Sequence, residues 1–103
     1  MKMNTNFNIN NVGEVVTLKG WVSKKRNLGG LLFIDLRDRS GIIQLIVRPE
    51  NKFYDQASSL KNESTIKVTG EIVKRESINK NIPTGEIEVI VNDLEVYSTS
   101  LDL

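Results

Sequence analysis

Gly20-Trp-Val-Ser-Lys-Lys-Arg-Asn-Leu-Gly-Gly-Leu-Leu-Phe-Ile-Asp-Leu-Arg-Asp-Arg-Ser-Gly-Ile-Ile-Gln44 carries the clearest structural pattern in this chain. A strand runs into a basic loop, a Gly-Gly turn follows, and a second strand leads through a polar turn into a third. Period-two reading of Leu31 to Leu36 puts Leu32, Ile34 and Leu36 on one side and Leu31, Phe33 and Asp35 on the other. The first set is the natural core face, so Phe33 points toward solvent. Periodicity leaves two readings open. Phe33 is either an exposed ring beside the cations of Lys24, Lys25 and Arg26, or a minor-core residue packed under a loop.

The same alternation extends in both directions. On the N-terminal side, Val16, Leu18, Gly20 and Val22 alternate with Thr17, Lys19, Trp21 and Ser23 in a first strand that begins near Val15. It follows a turn at Val12-Gly13-Glu14 and a polar lead-in whose Phe7 and Ile9 are expected to dock on the domain. Asn27 to Gly30 has turn chemistry, and Arg37-Asp38-Arg39-Ser40-Gly41 reads as a tight hairpin turn held by alternating charges. Ile42 to Val47 forms the third strand. Asn51 to Leu60 is predicted as a short helix with Phe53, Ala57 and Leu60 on one stripe. Thr65 to Lys74 and Glu86 to Val96 alternate again, separated by a polar loop from Arg75 to Pro83.

Three strands, a short helix and two strands predict an all-β, five-stranded antiparallel barrel. The helix between strands 3 and 4 is where an OB-fold places one, and that fold presents its second and third strands to oligonucleotides. A chain of 103 residues with 39% apolar residues is expected to form a single domain, 1–103, with its core over 12–96. No apolar run is long enough for a membrane span. Met1-Lys2-Met3-Asn4 lacks the apolar stretch of a signal peptide, so a cytoplasmic location is expected.

There is no cysteine and no histidine. That removes disulfides, thiolate sites, the usual general base near neutral pH and the commonest metal ligand. A net charge of +1 does not by itself advertise a nucleic-acid partner, so such a role requires local clustering.

Lys24, Lys25 and Arg26 supply such a cluster if a loop beginning there frees all three side chains. Cations that hold phosphates beside a ring that stacks a base are the parts of a single-strand platform. Gln44 shares the outward face of strand 3 with Ile42 and Ile46, and its amide can donate and accept along a base edge. Glu86 and Glu88 face outward on the last strand. Each is either a solvated edge residue or an acceptor for an exocyclic amine. As a hydrolase pair they lack a cleft between them.

The runs Val16-Thr-Leu-Lys-Gly-Trp-Val22, Arg26-Asn-Leu-Gly-Gly30, Phe33-Ile-Asp-Leu-Arg-Asp-Arg-Ser-Gly41, Gln44 and Thr84-Gly-Glu-Ile-Glu-Val89 resemble the N-terminal anticodon-binding domain of bacterial aspartyl-tRNA synthetases. The resemblance spans about Val12 to Val96, with a slightly short loop at Arg75 to Pro83. Lysyl- and asparaginyl-tRNA synthetases share the fold and the phenylalanine–glutamine theme. The resemblance implies that Phe33 stacks on the middle anticodon base and Gln44 reads it, while Arg26, Asn79 and Glu86 lie at the anticodon. Lys24 stands where the family often has arginine, replacing a bidentate fork by a point charge.

The resemblance further implies a tRNA partner and an aspartate–tRNA ligase as the parent enzyme. ATP and magnesium would be bound in a separate catalytic domain, with no cofactor in this chain. A homodimeric parent and a monomeric fragment are expected. A generic single-strand binder of the same fold is the alternative, and it would require more exposed aromatics than Phe33 alone.

Overall fold

Five strands close into one barrel in the computed structural model, which describes residues 6–98. The expectation resting on Met1–Asn4 falls outside the described residues. In chain order the elements are a 3-10 turn at Ile9–Asn11, β1 (Val15–Leu28), β2 (Leu31–Asp38), β3 (Gly41–Val47), α1 (Tyr54–Ser58), β4 (Thr65–Lys74) and β5 (Ile87–Ser98). The barrel order is β1-β2-β3-β5-β4.

Alternation fills the interior as the sequence predicts. Leu18 and Val22 of β1, Leu32, Ile34 and Leu36 of β2, and Ile43 and Leu45 of β3 are almost fully buried. Ile66, Val68 and Ile72 of β4 meet Ile87 and Val89 of β5 in the same core. Each such side chain contributes roughly 1.5–3 kcal/mol of transfer free energy. Ala57 and Leu60 cover the core from α1, with Phe53 and Tyr54 packed at its margin.

Several expectations need correction. The barrel is not wholly antiparallel, because β3 and β5 pair in parallel through Leu45↔Val89 and Ile46↔Ile90. A closed ring with an odd number of strands cannot alternate direction throughout, so one parallel pair is unavoidable. The helix is shorter than Asn51 to Leu60, since Asn51 is drawn into two other contacts. Its Oδ1 accepts from the Phe53 amide (2.8 Å) and its Nδ2 donates to the Val91 carbonyl (2.7 Å). Phe7 docks in the core, but Ile9 is exposed. Asp38 holds the β2–β3 turn through hydrogen bonds to its Oδ1, from the Ser40 amide (2.8 Å), the Ser40 hydroxyl (2.6 Å) and the Gly41 amide (3.3 Å).

The largest correction concerns Lys24, Lys25 and Arg26, which lie within β1 rather than in a loop. The β1–β2 register passes from Val22↔Leu36 to Lys24↔Asp35, leaving Ser23 as a bulge. A bulge inserts one residue and resets which side chains face inward. Before it, even-numbered residues such as Leu18 and Val22 point into the barrel. After it, Lys24 and Arg26 share the outer face with their partners Asp35 and Phe33, while Lys25 pairs with Ile34. The turn that follows is a two-residue hairpin in which Gly29 and Gly30 both have positive φ, +62° and +97°. Both central residues of a type I′ turn require this.

Gly70 lies in β4 opposite Val91 of β5. A Cβ there would stand 2.2 Å from the Ile90 carbonyl oxygen and 2.7 Å from a Val89 methyl. Gly70→Ala is expected to lower stability by about 1–3 kcal/mol, the usual cost of overpacking, as measured by urea denaturation. An unchanged midpoint would show that the strand crossing can open.

Candidate nucleic-acid interface

The outer face of β1, β2, β3 and β5 gathers a ring, an amide and four charges. Phe33 lies directly across from Arg26 on one side and Ile46 on the other. It is half-buried, and the Arg26 guanidinium stands 5.8 Å from its ring centroid. Such a contact favours a cation over an aromatic face. Phe33 is thus on the outer face as predicted, without being fully exposed.

Gln44 also faces outward, yet only 6% of its surface is exposed. Its Oε1 accepts from Arg26 Nη2 at 3.3 Å, and its Nε2 donates to Glu88 Oε1 at 2.9 Å. Both ends of the amide are therefore held by the protein, as a buried polar group requires.

Arg75, just beyond β4, is buried and its Nε donates to the Ile87 carbonyl at 2.9 Å. Burial lowers the pKa of this guanidinium, and the charges of Glu88 and Asp35 oppose that shift. Burial likewise raises the Glu88 pKa, while the hydrogen bond from Gln44 and the charge of Arg75 pull it back.

Two cavities meet at Phe33 and Gln44. One, of about 470 Å³, extends along β3 and β5 past Ile46, Arg48, Glu88 and Ile90. The other, of about 600 Å³, lies toward the β4–β5 loop and is lined by Arg26, Leu28, Arg75 and Asn79. Both fall in the range of roughly 300–1,000 Å³ typical of small-ligand clefts. The loop that bounds them is pinned by the Thr84 hydroxyl, which donates to the Ile42 carbonyl of β3, and by the Asn79 amide, which donates to the Gly85 carbonyl at 2.9 Å.

The residues singled out from sequence are not all brought together. Arg26, Phe33, Gln44 and Asn79 converge on the cavities, and Lys24 is exposed on the same face of β1. Lys25 is directed elsewhere. Its ammonium donates to the carbonyls of Ser58 and Leu60 (2.6 Å to the latter) at the C-terminal end of α1. Helix ends leave such carbonyls unpaired, and a cation is favoured there.

Glu86 is exposed in the turn before β5, where its carbonyl accepts from the Arg75 amide. The carboxylate that reaches Gln44 belongs to Glu88. Alternation puts both glutamates outward, but choosing between them requires the β3–β5 register. Arg75 carries no such sequence signal beyond its place at the end of a strand.

Residues 16–97 match the tRNA anti-codon family of OB-fold nucleic acid binding domains. The chain belongs to this family. An aspartate–tRNA ligase of Streptococcus thermophilus is 53% identical over 92 residues, covering 86% of this chain and 16% of the ligase. One from Exiguobacterium sibiricum is 43% identical over 99 residues, covering 95% of this chain and 17% of the ligase. The chain thus spans about a sixth of the length of these relatives. Among solved structures, asparaginyl-tRNA synthetase from Pyrococcus horikoshii, complexed with asparaginyl-adenylate, superposes with a TM-score of 0.86 at 27% identity. That match covers 99% of this chain and 23% of the synthetase. Among the described residues, no helix is long and apolar enough to cross a membrane.

Two outcomes test these assignments. Lys25→Ala should cost stability of about 1 kcal/mol through the lost helix-end contacts, without altering the affinity of the outer face for oligonucleotides. A parallel loss of affinity would return Lys25 to the interface.

The second outcome concerns Glu88, whose folded-state pKa is raised. Its contribution is fully present below the ordinary carboxylate pKa, where folded and unfolded chains both hold the proton. It is lost as pH rises through the raised folded value. The stability of the wild type relative to Glu88→Gln should therefore fall as pH climbs upward from the ordinary carboxylate range. A difference that grew over this range would reverse the assigned sign.

Proposed function

We propose that this chain is the anticodon-recognition domain of an aspartate–tRNA ligase and that its partner is the anticodon loop of aspartate tRNA. The carrying observation is the contiguous set Arg26, Phe33, Gln44 and Glu88, in which a stacking ring adjoins an amide held at both ends. Phe33 serves as the platform for the middle base. Every base has a flat face to stack, so the ring supplies affinity and little choice. Gln44 supplies the choice, because an amide presents a donor and an acceptor side by side.

Arg26 and Lys24 hold the phosphate backbone on the outer face of β1. Asn79 meets the loop from the β4–β5 side, and Glu88, not Glu86, supplies the carboxylate. Family membership and 53% identity to a ligase of this specificity support the aspartate reading over an asparagine or lysine one. The P. horikoshii neighbour favours the same scaffold in a related synthetase. We assign amino-acid activation, with its ATP and magnesium, to parts of the ligase outside this chain. The parent is taken to be a cytoplasmic homodimer and the chain by itself a monomer.

Phe33→Ala should weaken binding of the aspartate anticodon stem-loop by about 1–3 kcal/mol, the value of one base–aromatic stack, with little change in melting temperature. Lys24→Ala should reduce the salt dependence of binding and leave base preference intact. Unchanged stem-loop affinity in Phe33→Ala would overturn the reading. A collapse of stability in that variant would instead make Phe33 a core residue.

A further inference from the structure

We infer that Tyr54 is a positioning residue of the outer face: its hydroxyl fastens the tip of the β1–β2 hairpin to α1 and thereby holds Arg26 where a nucleic acid meets it. The inference rests on the anticodon reading above and extends it to a side chain on the opposite side of the hairpin from Arg26.

The end of this hairpin is its least supported part. The β1–β4 ladder ends at Trp21↔Thr65, so the second half of β1 keeps β2 as its one strand partner among the described residues. The β2–β3 ladder ends at Leu32↔Val47, and the pair Leu28↔Leu31 lies one step beyond it. The turn is Gly29-Gly30, which offers no side chain to pack, and glycine loses the most conformational freedom on ordering. A ribbon of two strands is marginal in water by itself. Fraying from such a tip passes through Leu28 and Asn27 and reaches Arg26 next.

Tyr54 meets this weakness. Its hydroxyl donates to the Gly30 carbonyl at 2.7 Å and accepts from Asn27 Nδ2 at 2.9 Å. Asn27 Oδ1 in turn accepts from the Gly30 amide at 3.0 Å. The phenol, the Asn27 side chain and the Gly30 backbone thus close a circuit of hydrogen bonds across the turn. Tyr54 opens α1 and its ring packs at the margin of the core, on which α1 is seated through the buried Ala57. The hydroxyl therefore carries the rigidity of the core to the end of the hairpin.

The bulge at Ser23 makes this attachment possible. Past it, Lys25 and Asn27 reach toward α1, while Lys24 and Arg26 share the outer face. Had the phase of the first half of β1 continued, Arg26 would face the helix and Asn27 would face outward. Lys25 grips the C-terminal end of α1 and Tyr54, at its start, grips the tip, so Arg26 stands between two points of attachment.

The test combines stem-loop binding by the whole chain with amide hydrogen exchange in the free chain. Tyr54→Phe keeps the ring in place and removes only the hydroxyl. The tip then holds its binding geometry for a fraction of the time, and apparent affinity falls by that fraction. A loss of about fivefold for the aspartate anticodon stem-loop is expected, on the scale of one net hydrogen bond. Asn27→Ala, an exposed change outside the core, should reproduce it, and the double variant should lose little more than either single one. In an Arg26→Ala background, Tyr54→Phe should leave affinity nearly unchanged, because the side chain it positions is gone. The Gly30 amide should exchange faster in Tyr54→Phe, by a larger factor than the amides of Ile34 and Leu36. Lys25→Ala is the control for a purely structural effect. It destabilises the fold but leaves the tip attached, so its affinity should stay that of the wild type.

Equal affinity in the wild type and Tyr54→Phe overturns the inference alone. So does a loss that persists undiminished without Arg26, or a Gly30 amide that exchanges no faster. Affinity losses that track stability in Tyr54→Phe and Lys25→Ala alike reduce Tyr54 to a residue that only stabilises the fold. A wild type that does not bind the stem-loop overturns the anticodon reading, and the positioning role falls with it.

Discussion

A ring of five strands must contain at least one parallel seam, and here that seam is where β3 meets β5. Parallel neighbours cannot be joined by a tight hairpin, so the chain between them must travel. It does so through α1, β4 and the loop from residue 75 to residue 86. The ladder at the seam is short, with Leu45↔Val89 and Ile46↔Ile90 as its register pairs. Two side-chain bonds reinforce it, both just N-terminal to the paired residues. Gln44 reaches Glu88 at one point, and the Thr84 hydroxyl reaches the Ile42 carbonyl at another. Gln44 and Glu88, which help to close the barrel, thus also line the cavity beside Phe33.

Charge is distributed to suit this arrangement. The chain as a whole carries only +1, yet Arg26, Arg75, Asp35 and Glu88 interleave over a few strands. Burial disfavours the charged forms of both Arg75 and Glu88, and each is the other's compensating charge. Breaking such a set by removing one member exposes the remaining charge to the full desolvation cost. A ligand that brings its own polar edge can exchange contacts with the set instead. Interleaved charges therefore suit a surface that must be dry enough to read hydrogen bonds and still admit a polyanion.

Strands were readable from sequence because one face of each is buried, and burial imposes period two. Leu32, Ile34 and Leu36 or Ile66, Val68 and Ile72 admit no other register. The pattern fails where local information stops. The bulge at Ser23 flips the phase of β1, so the basic triplet looked like a loop and its inward member, Lys25, looked like a ligand contact. Nothing in residues 20–28 alone announces that change, because it is fixed by the β2 partner. The choice of Glu88 over Glu86 depends on a pairing between strands more than forty positions apart. Gln44 was placed on the correct face, but its burial depends on Arg26 and Glu88, which arrive from two other strands. The outward-facing ring was legible as a pattern, and the contacts that hold the Gln44 amide were not.

Arg26 links these levels. Its guanidinium stands over the Phe33 ring and also donates to Gln44, so one side chain touches both the ring and the buried amide. A planar, permanently charged fork suits that double contact better than a lysine ammonium, which cannot offer a flat face to a ring. Because Arg26, Phe33, Gln44 and Glu88 all stand on paired strands, their relative positions are set by backbone ladders rather than by loop conformation. Sites built on strands hold their geometry more closely than sites built on loops. On the proposed function, an incoming base would meet groups whose rotamers are already ordered, so that part of the entropy of binding is spent during folding. On the proposed function, phosphate contacts fall to the exposed Lys24 and to the β4–β5 loop, and they tolerate imprecision because they carry no sequence information.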